Sequence, residues 1–149
     1  LVDTIAPLRN PGSTRKLEPQ ENHLLAALSP EVQDRLFPHM ELVPLELRSV
    51  LYESGSTMRH VYFPADSIIS LQYLLSEGES TALLIVGNEG LLGISLFLGF
   101  EPASSRSLVQ STGHAYRIPK PLVKAEFDRH QELMLLMLRY TQATITQVS

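Results

Sequence analysis

From residue 41 to residue 119 the sequence is a succession of short apolar runs, each cut off by turn-forming residues before a long helix could form. Ser49-Val50-Leu51-Tyr52 gives way to Glu53-Ser54-Gly55-Ser56, and His60-Val61-Tyr62-Phe63 is broken by Pro64. Residues 67–75, rich in Ile, Leu and Tyr, are separated by Ser76-Glu77-Gly78-Glu79 from a second apolar run at 80–86, the pattern of a hairpin. Residues 105–110 and 115–118 make a further pair across Ser111-Thr112-Gly113. About seven strands at such spacing, with no helix long enough for repeated parallel crossovers, predict an antiparallel sandwich, roll or barrel.

Helices are expected only at the flanks. Leu24, Leu25 and Leu28 form a short helical stripe, and Ser29-Pro30-Glu31 supplies an N-cap, a first-turn proline and an acidic first turn for a second helix carrying Val32 and Leu36. Residues 1–20 hold Pro7, Pro11, Gly12, Ser13 and Pro19 without periodicity and are expected to be a flexible tail. Beyond Pro119, Pro121, Leu122, Val123 and Phe127 fit a short helix, and a longer one is expected over 131–149. On it Leu133, Met137, Tyr140 and Thr144 share one face. Leu135, Leu136 and Leu138 make its first turns apolar almost all round, so one face can pack on the β body while the other pairs with a second copy. The alternative is that one subunit covers both faces. The absence of an initiating methionine and of a helix stop before Ser149 is read as the mark of an excised fragment.

Composition removes several functions. With 149 residues, 44% hydrophobic and 19% charged, the chain suits one globular domain, and a net charge of -4 offers no general attraction to nucleic acid. There is no cysteine, which excludes disulfides, thiolate nucleophiles, cysteine-held zinc and iron–sulfur clusters within this chain and fits a cytoplasmic protein. No apolar run has the length of a membrane span, and no secretory signal opens the chain. His23, His39, His60, His114 and His130 are scattered rather than set at metal-ligand spacing, and read as structural. No nucleophile sits beside a base and no carboxylates pair, so an enzyme is not expected.

The segment Gly87-Asn88-Glu89-Gly90-Leu91-Leu92-Gly93-Ile94-Ser95-Leu96-Phe97-Leu98-Gly99 is the candidate site. A strand that ends in glycines and enters a short helix can present backbone N–H groups to an anion such as phosphate. Arg106, at the start of the next strand, adds a guanidinium fork, and Ser107 a hydroxyl. Read singly, the glycines are ordinary turns and Arg106 an exposed strand residue.

From Asn22 to Ser149 the sequence resembles the cyclic-nucleotide-binding-type sensor domain of bacterial Crp/Fnr transcription regulators. The likeness rests on Val50-Leu51-Tyr52-Glu53-Ser54-Gly55 before a turn, on His60-Val61-Tyr62-Phe63, and on the segment from Gly87 to Gly99. It implies a jelly-roll (double-stranded β-helix) over residues 21–130 and a dimer helix from 131. Beyond that helix the family carries a helix-turn-helix DNA-binding domain, which this chain lacks. It implies a ligand site at Gly93, Ile94, Ser95, Arg106 and Ser107 for a cyclic nucleotide or another small anion; some members of the family bind haem, but the scattered histidines give no metal site to expect here.

Ile94 stands where nucleotide-binding members carry the glutamate that accepts from the ribose hydroxyl, and Glu89, four residues before Gly93, does not align with that position. A buried hydroxyl without its acceptor costs about 1–3 kcal/mol, which argues against cyclic AMP bound in the family's manner. Thr141, Thr144 or Thr146 could meet a base. The expected function is therefore a sensor and dimerisation domain of a Crp/Fnr-like regulator, reaching DNA only through a domain outside this chain. The alternatives are a ligand-free dimerisation scaffold of the same fold and a free-standing small-molecule-binding domain.

Overall fold

The computed structural model describes residues 17–53, 59–75, 80–93, 105–129 and 145–148. Two antiparallel sheets face each other. The strands are β1 (Glu41–Leu45), β2 (Val50–Tyr52), β3 (His60–Pro64), β4 (Ile68–Leu75), β5 (Ser80–Val86), β6 (Ser105–Ser111), β7 (Gly113–Pro119) and β8 (Ile145–Val148). One sheet has the order β1-β7-β3 and the other β2-β6-β4-β5-β8. Thr112 alone separates β6 from β7, so one hairpin carries the chain from the larger sheet to the smaller.

Period-two alternation builds the core. Val61, Phe63, Ala115 and Ile118 of the smaller sheet and Ile69, Leu71, Val86 and Val109 of the larger are all buried in one cluster. Among the described residues three helices close it: α1 (His23–Ala26) with Leu24 and Leu25, α2 (Pro30–Leu36) with Val32 and Leu36, and α3 (Lys120–Arg129) with Val123. The expected caps are in place. The Ser29 hydroxyl accepts from the Val32 amide at 3.5 Å and Pro30 opens α2. A bidentate pair then ties α2 to α3, with Arg35 Nε and a terminal nitrogen 3.0 and 2.7 Å from the two oxygens of Glu126, itself buried.

Two expectations about the termini are corrected. Of the tail expected over 1–20, residues 1–16 lie outside the described residues, whereas Leu17 is buried with its carbonyl accepting from the Tyr116 hydroxyl at 2.6 Å and Pro19–Glu21 form a 3-10 turn, so the last four residues are not a free tail. One apolar anchor outweighs the proline-rich composition around it. The helix expected through 149 does not include residues 145–148, which form β8 and pair with β5 from Thr81↔Val148 to Leu84↔Ile145. Ile145, Thr146 and Val148 are β-branched, and the open edge of β5 offers backbone partners that a helix end lacks.

Candidate ligand site

The glycine-rich segment begins where β5 stops. The Gly90 amide donates to the Gly87 carbonyl at 3.2 Å, closing a tight turn, and Glu89 Oε1 accepts from the Gly87 amide at 3.2 Å. Glu89 thus braces its own turn. Leu91 and Leu92 are buried, and Leu92 exchanges both backbone hydrogen bonds with Tyr62, at 3.0 and 2.8 Å, lengthening the smaller sheet past β3. Gly93 then takes a φ of 122°, a conformation that any L side chain would strain, and redirects the chain towards Ile94. Ile94 and Ser95 lie outside the described residues, as does the remainder of the expected short helix.

In the sequence Asn22 marks only the start of the resemblance, yet this side chain fastens the turn to the N-terminal helices. It is fully buried, and its Oδ1 accepts from the Leu24 and Leu25 amides at 3.0 and 3.1 Å as the cap of α1. Its Nδ2 donates to the carbonyls of Pro64 at 2.9 Å and Gly90 at 2.8 Å. The His23 amide adds a bond to the Asn88 carbonyl at 2.6 Å. The available signal was an asparagine immediately before an apolar helical stripe.

Arg106 and Ser107 are neighbours in β6 and therefore face opposite ways. Ser107 lies opposite Leu71 of β4 and Tyr52 of β2, on the inward face with Val109, and is fully buried. Its Oγ has no hydrogen-bond partner among the described residues. Such a hydroxyl carries a desolvation cost of about 1–3 kcal/mol until something bonds to it. Arg106 lies opposite Gln72 on the outward face, its side chain 46% exposed and its Nε 3.6 Å from Glu53 Oε1. The two donors expected to share one anion thus stand on opposite sides of the sheet.

Of the remaining expected residues, Thr146 sits in β8 opposite Leu83 rather than on a helix. Leu133, Met137, Tyr140, Thr141 and Thr144 lie outside the described residues. Among the described residues, no group of three or more metal-ligating side chains occurs, and no helix is long and apolar enough to cross a membrane.

A concavity missed by the sequence reading opens at the open end of the β4–β5 hairpin beside the glycine turn. It encloses about 330 Å³ and is lined by Asp66, Ser67, Ile68, Ile85 and Glu89 among others. Ser67 Oγ donates to the His114 carbonyl at 2.8 Å, and Asp66 Oδ1 accepts from the His114 amide at 2.5 Å.

No protein-family model matches this chain, and no curated protein matches it. Solved structures do. The sensor domain of the transcriptional regulator DNR from Pseudomonas aeruginosa aligns with a TM-score of 0.61 at 17% identity, covering 83% of each chain. The catabolite activator protein of Thermus thermophilus aligns at 0.60 and 16% identity over 80% of this chain and 56% of its own. The regulatory domain of Toxoplasma gondii PKA, solved with cAMP, aligns at 0.58 and 16% identity over 74% of this chain and 46% of its own. The match thus spans just over half of the activator and less than half of the PKA domain. The fold is that of the jelly-roll domains of Crp/Fnr regulators and cyclic nucleotide-binding proteins.

Proposed function

We propose that a chain with this fold serves as the sensor and dimerisation domain of a Crp/Fnr-like transcription regulator, a small ligand inside the roll biasing the position of a DNA-binding domain outside this chain. The observation that carries the reading is the buried, unpartnered Ser107 hydroxyl on the inward face of β6. A ligand atom bonded there would remove its desolvation cost. Gly93, Ile94, Ser95 and Ser107 would form the wall of the site. Arg106 would join them only by leaving Glu53 and turning inward. Leu133, Met137, Tyr140 and Thr144 would pair with a second copy. Ligand control then requires different affinities for two arrangements of the dimer.

A ligand-free dimerisation scaffold is the second reading, and the outward, ion-paired Arg106 favours it. Calorimetry with cyclic AMP, cyclic GMP and cyclic di-GMP on the wild type, Arg106→Ala and Ser107→Ala separates the two. The sensor reading expects heat with at least one ligand and a loss of about tenfold or more in affinity in Ser107→Ala. Negligible heat in every titration would sink the nucleotide version. Sedimentation tests the pairing, and a monomer at high micromolar concentration would count against it.

A further inference from the structure

The corner where β7 passes into α3 gathers positive charge, in a chain whose net charge is -4. The ladder between β3 and β7 continues one step beyond His60↔Pro119, because the Lys120 amide donates to the Arg59 carbonyl at 2.9 Å. Arg59 and Lys120 therefore stand directly opposite each other. Residues so opposed share one side of the sheet with Cβ atoms about 4.5–5.5 Å apart, a distance at which like charges destabilise the pairing. His60 follows Arg59 in the chain, and Arg117 lies on the same ladder opposite Tyr62.

The fold does not neutralise this pair. Arg59 is exposed and Lys120 half-buried, and among the described residues neither side chain has a partner. β3 and β7 contain no carboxylate. Those of the adjoining β1 and α3 are engaged elsewhere: Glu41 with Arg117 at 2.8 Å, Glu126 with Arg35 at 2.7 Å and Asp128 with Lys124 at 3.6 Å. The first turn of α3 holds no acidic residue, so Lys120 opens the helix with the charge its dipole disfavours. Burial first, then Arg117 and Arg59 against an opposing Glu41, holds His60 below its ordinary pKa, so the cations are near enough for a neighbour to feel them.

Local electrostatic rules broken together, with no compensation inside the fold, are the pattern expected of a functional site. What compensates here must be negative and small enough to meet two long side chains at once. A phosphate dianion offers oxygens to both an arginine fork and a lysine ammonium. A nucleic-acid backbone or an anionic membrane would also meet the remaining, net negative surface, which favours a small ion over either. The exposure of Arg59 leaves an organic substituent on that phosphate free to stay in solvent.

We propose that Arg59 and Lys120 form a surface site for a small-molecule phosphate monoester, its dianion seated between the two side chains. The site belongs to the smaller sheet, apart from Ser107 in the larger, and stands whether or not the roll binds a ligand.

The test is thermal unfolding at about pH 7.5, where a phosphate monoester is mostly dianionic, in sodium chloride, sodium phosphate and sodium glycerol 3-phosphate at matched ionic strength. Both phosphates are expected to raise Tm saturably above chloride, with half the effect at about 1–10 mM. Arg59→Gln and Lys120→Gln should each raise Tm in dilute chloride by relieving the repulsion, and each should weaken phosphate binding at least about fivefold. Arg106→Ala should leave the phosphate effect intact. Equal Tm in phosphate and chloride up to about 50 mM overturns the proposal, as does a gain that persists in both glutamine variants, which is general salting-out. So does a gain lost in Arg106→Ala, which places the anion elsewhere, a gain with inorganic phosphate but not with the monoester, or a fall in Tm in dilute chloride in both glutamine variants.

Discussion

Asn22 shows how much one side chain can hold in this fold. All of its hydrogen-bonding capacity towards the described neighbours is internal: two amides of α1 on one atom, two carbonyls from β3 and the glycine turn on the other. Asn22→Ala is expected to lower stability by about 3 kcal/mol or more in urea unfolding, since it strands four buried backbone groups. Asn22→Asp keeps the cap but loses both donations and buries a charge, and should cost at least as much. A loss below about 0.5 kcal/mol in both would refute this account. Gly113 is constrained differently: a Cβ there would sit 2.3 Å from the Asp66 carbonyl oxygen, so Gly113→Ala must shift backbone and should lower Tm by several degrees. His60 gives a pH effect of definite sign. Burial first, then the Arg117 and Arg59 cations, lowers its pKa below the ordinary value, with Glu41 opposing. The folded state therefore binds fewer protons than the unfolded one, so this contribution is intact above about pH 6.5 and is lost as pH falls towards the folded value. Tm should fall between pH 7.5 and 5.5, and less steeply in His60→Gln; parallel curves would remove His60 as the cause. At this scale the sequence was only partly legible. The caps could be read because they depend on near neighbours, whereas the opposite facings of Arg106 and Ser107 depend on which face of β6 is buried, and Ser105-Arg106-Ser107-Leu108-Val109 has no polar alternation to reveal it.

The strands and short helices were legible where local chemistry and packing agree. The run at 80–86 became β5 (Ser80–Val86), and Ser29-Pro30-Glu31 opened α2 as its residue types demand. Residues 145–148 were misread because a helical period established over 131–140 was carried on into a β-branched stretch whose conformation is decided by the edge of β5, more than sixty residues earlier. The pair between α2 and α3 was likewise invisible in sequence, its partners being 91 residues apart. The Glu126 side chain is only 5% exposed while that of Arg35 is 31% exposed, so removing the arginine strips a buried carboxylate of its cation. Arg35→Met is expected to cost about 2 kcal/mol after allowance for the wet side of the pair. Arg35→Met with Glu126→Leu should recover most of that loss in a double-mutant cycle. If the double variant is as unstable as the sum of the singles, the carboxylate is not what makes the single substitution costly.

Across the whole molecule, fold class could be read before topology. Turn-punctuated apolar runs are enough to predict antiparallel sheets, but nothing local states that β1 lies beside β7 or that β2 lies beside β6. That sheet order has a consequence in time. Glu41 meets Arg117 across 76 residues, and in the larger sheet β2 has β6 as its neighbour, so neither of the first two strands has a partner until the second half of the domain exists. Refolding is expected on the millisecond-to-second scale of non-local β topologies, and a microsecond phase carrying the full amplitude would contradict it. During synthesis, at about 5–20 residues per second, β1 waits on the order of 4–15 s for β7. Throughout that interval its backbone is an open template for any other nascent strand. Pro44, the fourth of this edge strand's five residues, withholds one amide from such pairing, and Glu41 opens it with a charge. The two residues guard the chain against misassembly before there is a native structure to protect.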